Sequence, residues 1–299
     1  MATDFRGRPM GLFDFFKKDS GKDSGYDVVE LARRLGLLEP ELRAVKPAYT
    51  KFSIAKKSGG KRIIHAPSAE LKGIQRKILY RLLARLKCYP AAMGFEKNKS
   101  IATNAKYHVG KKVVIRMDIK DFFHTTSAER IMKYFTAAGW NREASQLLVS
   151  LCTYKDSLPQ GAPTSPRLSN LVNYNLDAQL TGIAYTVGGQ YTRYADDITF
   201  SFDQEKRPVT GYVIGGTKTI LQRFGYQLHL KKKLHIRRRH RRQQVTGVVV
   251  NEKLNLPRTT RRWLRAVEHR LQTGGNATLT RQQLASWRAL ENMIKREAD

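Results

Sequence analysis

Apolar positions recur at helical spacing in some stretches of this chain and at alternate positions in others. Leu71, Ile74, Ile78, Leu82 and Leu86 fall on one helical face, which predicts an amphipathic helix from Glu70 to Lys87. A shorter helix is expected from Asp27 to Leu37. Tyr49–Ile54 and Lys61–Ile64 are β-rich, and the basic, glycine-containing link Lys56-Lys-Ser-Gly-Gly60 makes them a hairpin. The β-rich run from Val113 to Ile119 leads directly into an acidic residue, Asp118. Helices are expected at Ser127–Ala138 and Glu143–Cys152. The proline-bounded loop Pro159–Pro166 then ends with Ser165 as N-cap and Pro166 at the first position of a helix to Leu180.

Two more β-type runs, Tyr191–Tyr194 and Ile198–Phe202, flank Ala195-Asp-Asp197, so this stretch reads as a hairpin around a tight acidic turn. A further helix is expected to about Phe224, closed by Gly225. Near the C-terminus, Trp263, Leu264, Val267 and Leu271 mark one helix, and Leu284, Trp287, Leu290 and Ile294 another. Thr273-Gly-Gly-Asn276 separates the two.

Charge changes the picture. Lys and Arg number 55 against 25 acids in 299 residues, a formal net charge of +30. That excess does not choose a fold, but it selects polyanionic partners, nucleic acid foremost. It is concentrated: Lys206 to Asn251 holds twelve Lys or Arg and no acid, and eight of the twelve lie in Lys231–Arg242. An apolar content of 41% rules out wholesale disorder. Cys88 and Cys152 alone make neither a disulfide framework nor a zinc set. No stretch is long enough to span a bilayer, and Met1–Gly25 lacks a secretory core. The expectation is a cytoplasmic protein with no membrane partner and a flexible leader over residues 1–25.

Adjacent carboxylates on a tight turn repel one another, and a cation offsets that cost. Mg²⁺ takes oxygen ligands and retains waters, so a few carboxylates and substrate phosphates complete its shell. Two such ions, roughly 3.5–4 Å apart, serve an in-line phosphoryl transfer. An isolated Asp-Asp pair would read as a polar turn. Order and context favour the metal reading here: Met117-Asp-Ile-Lys-Asp-Phe-Phe123, Leu158-Pro-Gln-Gly-Ala-Pro-Thr-Ser-Pro166 and Tyr194-Ala-Asp-Asp197 follow one another, and together they resemble the ordered motifs of reverse transcriptases.

That resemblance runs from about Phe52 to Arg270. It implies an α+β, right-hand polymerase fold: fingers with N-terminal helices over 26–110, palm over 111–250 and a helical thumb over 251–299. It implies RNA-directed DNA polymerase activity with two Mg²⁺ ions and dNTPs. Asp118, Asp196 and Asp197 would be catalytic and bind metal, with Ile119 adding a backbone ligand. Phe123 stands where the family places an aromatic gate against 2′-hydroxyls; a core aromatic beside Phe122 is the alternative. Gln160 and Gly161 would line the nucleotide pocket. Lys61 and Arg62 would meet the triphosphate, with Lys56 and Lys57 as competitors for that role. Lys232 joins the nucleotide set by position, although His229 and Lys233 depart from the family's Asn-x-x-Lys-Thr pattern.

Two further segments are similar to parts distinctive of bacterial retron reverse transcriptases: Asn104-Ala-Lys-Tyr-His108 and Val245-Thr-Gly-Val-Val-Val-Asn251. The resemblance implies a cognate structured non-coding RNA as partner. It also implies priming from a guanosine 2′-hydroxyl, an RNA-linked DNA product, anti-phage defence, and an effector protein as a further partner. Asn104, His108, Val245, Thr246 and Gly247 would take part in recognising the RNA. A capped helix start and a satisfied buried histidine are the competing readings for Asn104 and His108. Arg237, Arg238, Arg239, Arg241 and Arg242 would neutralise phosphates. Arg258, Arg261, Arg262 and Arg265 would grip the duplex from the thumb, a solvated helix face being the alternative. No RNase H, integrase or endonuclease pattern follows the thumb, which argues against a complete retroviral or mobile-intron protein; a group II intron-like or other defence-associated reverse transcriptase, or a catalytically silent RNA-binding scaffold, is the alternative.

Overall fold

The computed structural model describes residues 25–55, 59–204, 206–229 and 234–298. The leader up to Ser24, the hairpin lysines Lys56 and Lys57, and Lys232 therefore lie outside the described residues. In chain order the helices are α1 Val28–Leu35, α2 Glu39–Ala44, α3 Ala69–Lys77, α4 Ile101–Lys106, α5 Phe122–Thr125 and α6 Ala128–Ala137. They continue with α7 Arg142–Cys152, α8 Ser165–Leu171, α9 Tyr174–Thr186, α10 Arg207–Arg223, α11 Arg258–Gln272 and α12 Arg281–Ala298. The strands are β1 Tyr49–Ala55, β2 Lys61–Pro67, β3 Val113–Asp118, β4 Gln190–Tyr194, β5 Asp197–Phe202, β6 His235–Arg238, β7 Gln244–Val245 and β8 Val248–Val249.

The chain divides into two compact units, each assembled from two separate stretches of sequence. The first comprises the chain up to Cys88 together with Asp121–Asn173. Its core gathers one face from each of several helices: Leu31 and Leu35 of α1, Leu71 of α3, Phe135 of α6, and Leu148 and Leu151 of α7 are all buried. α1 starts where the Asp27 carboxylate accepts the Glu30 N–H and stops at Gly36, whose φ of 62° suits glycine. β1 and β2 pair antiparallel, with Phe52 opposite Ile64 and Ile54 opposite Arg62.

Two helices differ from the sequence pattern. α3 covers only the first half of the expected helix; Ile78–Leu83 continues it as a π-helix, with the Ala84 N–H reaching back five residues to Leu79 O. Arg167 of α8 donates to the carbonyls of Leu83 and Leu86 at that end. The helix expected from Ser165 to Leu180 is interrupted at Val172-Asn173, giving α8 and α9. Asn173 causes no break by composition. Its amide instead donates to Ser169 O (2.8 Å) and accepts from Arg130 (2.6 Å), fixing a turn. Ser165 is not the N-cap, because its hydroxyl is engaged by Pro159 O at 2.7 Å; Thr164 holds the cap position.

The second unit comprises Tyr89–Lys120 and Tyr174–Asp299. Its four-stranded antiparallel sheet has the order β4-β5-β3-β6. Val113, Ile115 and Met117 of β3 and Ile198, Phe200 and Phe202 of β5 are nearly or wholly excluded from solvent. A separate apolar cluster joins Ala102 and Ala105 of α4 to Val245, Val248, Leu264 and Ile294. β7 and β8 form a two-residue hairpin whose turn residues, Thr246 and Gly247, both have positive φ (46° and 86°). That geometry matches the right-handed strand twist, at a cost for the β-branched Thr246.

Candidate active site

The three acids lie together at one end of the second unit's sheet. In β3 and β5, Asp118 and Asp197 stand directly opposite each other in antiparallel register. Tyr194 pairs with Asp197, so Ala195 and Asp196 form a two-residue hairpin loop. Directly opposite like charges destabilise a sheet unless something offsets them. Part of the offset is built in: Arg116, two residues before Asp118 on the same face of β3, places Nη2 2.8 Å from Asp197 Oδ2.

Backbone hydrogen bonds hold both sides of the β3 end. The Ile119 N–H donates to Asp196 O (2.9 Å), the His229 N–H to Asp118 O (2.8 Å) and the Lys120 N–H to Gln227 O (2.8 Å). The Gly225–His229 stretch therefore completes the frame around Asp118. Ile119 itself is buried.

The turn is also supported from beneath. Arg193, the residue before Tyr194, is fully buried, and its guanidinium makes a bidentate pair with the equally buried Asp177 of α9 (2.7 and 2.6 Å). Tyr191 adds an O–H bond to the same carboxylate at 2.7 Å. The remaining Arg193 nitrogen, Nη1, donates to Ala195 O at 3.1 Å. Desolvation works against the Arg193 charge, but Asp177 more than offsets it, and the guanidinium titrates above its ordinary value. Burial, followed by the Asp177 charge, pushes the Tyr191 phenol well up. Neither Arg193 nor Asp177 stands out in the sequence, because they are single charges sixteen positions apart.

The donor chemistry at the sheet end fits a hard divalent cation: carboxylates at paired positions, a third on the adjoining turn, and backbone oxygens close by. Among the described residues no three His, Cys, Asp or Glu side chains converge into a ready-made cage.

Of the other sequence-predicted residues, the first unit carries Lys61, Arg62, Phe123, Gln160 and Gly161. Lys61 and Arg62 are exposed at the start of β2. The loop holding Gln160 is bound to that strand, since the His65 N–H donates to Gln160 O at 2.8 Å. Gly161, at φ 127°, lies so close to β2 that a Cβ there would stand 2.8 Å from Ile64 Cγ2 and 2.9 Å from His65 O. Phe123 is half-buried, 5.5 Å from the Phe122 ring and packed against the first unit's core.

The second unit brings the Asn104–His108 and Val245–Gly247 segments into contact. Asn104 Nδ2 donates to Thr246 Oγ1 (3.4 Å), whose hydroxyl donates to Ile101 O (2.9 Å). Asn104, His108 and Val245 are buried and present no surface to a ligand; Lys106, Tyr107 and Gly247 are the exposed positions here. His108 bridges β4 and β5, its ring nitrogens bonded to Thr192 and Ser201 hydroxyls, each at 2.7 Å. Complete burial lowers its pKa to about 3, so the imidazole is neutral. Arg237, Arg239, Arg241 and Arg242 are exposed and Arg238 half-exposed, with Arg237 and Arg238 on the sheet's terminal strand β6. Arg258, Arg261, Arg262 and Arg265 are exposed along a single face of α11, opposite the buried Leu264 and Val267.

This sheet end, with its paired acids and acidic two-residue turn, lies inside the matched region of a known family. The family model for reverse transcriptase (RNA-dependent DNA polymerase) matches residues 54–250, and the chain belongs to that family. Its curated relatives place it more narrowly, among the retron reverse transcriptases. It is 38% identical over 241 residues to the retron Mx65 reverse transcriptase of Myxococcus xanthus, covering 74% of this chain and 55% of that protein. It is 36% identical over 234 residues to the retron Ec86 reverse transcriptase of Escherichia coli, covering 77% and 72% respectively. For the retron Mx162 reverse transcriptase of Myxococcus xanthus, identity is 34% over 284 residues, covering 82% and 58%. The chain thus spans little more than half the length of two of these relatives.

A telomerase structure from Candida albicans, solved with a TWJ fragment of telomeric RNA, aligns with a TM-score of 0.52 at 10% identity. It covers 79% of this chain and 52% of that one. The fold is the α+β right-hand polymerase fold. Among the described residues no helix is long and apolar enough to cross a membrane.

Proposed function

We propose that this chain is a cytoplasmic bacterial RNA-directed DNA polymerase that binds a structured non-coding RNA and copies part of it into RNA-linked single-stranded DNA. The observation that carries the reading is the pairing of Asp118 with Asp197 beside Asp196, in a chain whose relatives are retron reverse transcriptases. The primer would be a guanosine 2′-hydroxyl of the bound RNA, and the role anti-phage defence, in company with an effector protein. Residues 26–110 would serve as fingers, 111–250 as palm and 251–299 as thumb.

In the proposed reaction a hydroxyl oxygen attacks the α-phosphorus of a dNTP. A P–O bond forms, the bond to pyrophosphate breaks, and the hydroxyl proton is lost to solvent. Asp118, Asp196, Asp197 and the Ile119 backbone would hold two Mg²⁺ ions, which when bound supply charge neutralisation for phosphoryl transfer. Lys61 and Arg62 would pair with the triphosphate, which a guanidinium suits by its bidentate geometry. Gln160 and Gly161 would shape the nucleotide position, with Lys232 a further contact. Phe123 would exclude ribonucleotides by steric conflict with the 2′-hydroxyl. The exposed arginines 237, 239, 241 and 242, with Arg238 and the α11 row, would neutralise RNA phosphates. The buried Asn104, His108 and Val245 would act indirectly, by holding the Thr246-Gly247 turn and α4 in place for RNA recognition.

The test is to purify the protein with its nucleic acid and treat the product with RNase and a debranching enzyme. A short DNA released from a 2′–5′ linkage is expected, and an active preparation without it would remove the retron reading. Asp196→Asn with Asp197→Asn should abolish dNTP incorporation while RNA stays bound; surviving incorporation would overturn the metal assignment.

A further inference from the structure

Burying an ion pair is an expensive way to fill a core. A hydrophobic pair of similar volume often stabilises a fold equally well or better. Arg193 and Asp177 are both wholly excluded from solvent, so their presence calls for a task that packing alone does not perform. The geometry supplies one. Two of the three guanidinium nitrogens are committed to Asp177, and the third donates to the carbonyl of Ala195, inside the acidic turn.

Ala195 has φ 58°, a left-handed conformation that costs a non-glycine residue about 1 kcal/mol or more and persists only where its surroundings over-determine it. The surroundings here act on both sides of that peptide. Arg193 holds the carbonyl. On the nitrogen side, Gly94 approaches so closely that a Cβ would stand 2.8 Å from Ala195 N. The backbone of Arg193 is fixed as well: its N–H donates to Ala91 O (2.9 Å) and its carbonyl accepts from Met93 N–H (2.7 Å). Asp177 is fixed by Tyr191 in turn. The chain of contacts runs from α9 through the ion pair to the residue preceding Asp196.

We propose that Arg193 is a positioning residue: anchored by Asp177, it sets through the Ala195 carbonyl the turn conformation in which Asp196 and Asp197 take divalent metal. The inference rests on the catalytic reading of those two acids. It assigns to the buried pair a role in metal affinity and turnover that is separable from its role in stability.

Three variants test it, each in the full chain with its bound RNA: Arg193→Met with Asp177→Leu, Arg193→Lys, and Asp196→Asn as control. Readouts are the thermal midpoint, Mn²⁺ binding counted by electron paramagnetic resonance, and kcat and KM for dNTP. The double variant replaces the ion pair with apolar side chains; it removes the charged donor to Ala195 and, with Asp177, the acceptor of the buried Tyr191 hydroxyl. It is expected to fold with a midpoint somewhat below that of the parent, since the Tyr191 hydroxyl loses its acceptor, to bind Mn²⁺ about tenfold more weakly, and to lose about tenfold in kcat with little change in KM. Arg193→Lys retains the charge but not the three-way reach, and an intermediate loss is expected. Parent-like Mn²⁺ binding and kcat in a folded double variant would overturn the proposal. If the double variant does not fold, the same criterion applies to Arg193→Lys alone. An Asp196→Asn protein that still incorporates dNTP would instead show that the catalytic reading of the turn had failed, with the clamp untouched as the cause.

Discussion

Exchanging His108 for glutamine removes a buried imidazole from between β4 and β5, and the consequence depends on pH in a way that can be worked out. The folded chain keeps the ring neutral down to about pH 3, whereas an unfolded chain protonates it below its ordinary value of 6.5. Between those limits the unfolded state binds more protons, so acidification favours unfolding. Full stability from this group is present above 6.5 and is lost progressively as pH falls toward 3. From pH 7 to pH 5 the loss is about 2 kcal/mol, since each unit between the two pKa values is worth about 1.4 kcal/mol. Glutamine at this position still offers a donor and an acceptor to Thr192 and Ser201, but it does not titrate. The substitution itself costs about 1–3 kcal/mol at pH 7, through imperfectly satisfied buried hydroxyls. Urea unfolding of both proteins at pH 7 and pH 5 isolates the histidine, because every other titrating group is common to the two. The parent should lose about 2 kcal/mol more than His108→Gln over that interval. Equal losses would mean that the ring is charged or solvated in the folded chain, and the account of a neutral bridge would be wrong.

Two other substitutions probe the site from different sides. Gly161→Ala combines a strained positive φ with a Cβ that would stand 2.8–2.9 Å from β2, and should cost about 1–3 kcal/mol in urea unfolding. Unchanged stability would show that the loop is free to move away from the hairpin. Arg116→Gln removes the cation beside Asp197; without divalent ions the thermal midpoint should fall, while Mn²⁺ should bind roughly two- to fivefold more tightly, as suits a partly exposed pair worth up to about 1 kcal/mol. Weaker Mn²⁺ binding in titrations of that variant would contradict the counter-ion role.

The parts of this molecule that sequence alone made legible are those written in local periodicity and adjacent motifs. The β1–β2 hairpin, β3 ending at Asp118, and the tight acidic turn all follow from alternation and turn chemistry within a few residues, although Asp197, read as part of that turn, belongs to β5. Parts decided by distant partners were not visible. Nothing near Ile78 announces the shift to a π-helix, and the break at Asn173 depends on an arginine 43 positions away. Arg193 and Asp177 become meaningful only when α9 lies against β4. His108 could be singled out by its motif, but its burial depends on Thr192 and Ser201, which belong to strands 84 and 93 positions further on. The basic stretch was readable as charge and not as structure: four of its residues, His235–Arg238, form a strand.

That strand has a consequence of its own. Among the described residues β6 ends the sheet, and a terminal strand is where another chain can lie alongside, although the Gln243 side chain already occupies the Arg237 carbonyl. A second copy approaching in that way would bring Arg237 and Arg238 against their own counterparts, and the repulsion would oppose the pairing. A polyanion meets no such barrier. Under the proposed function, charge at this edge would act as a filter on company, opposing a second copy and favouring a polyanion such as RNA. Concentrated salt, which shortens the reach of charge to about 3 Å at 1 M, would weaken both the refusal and the welcome together.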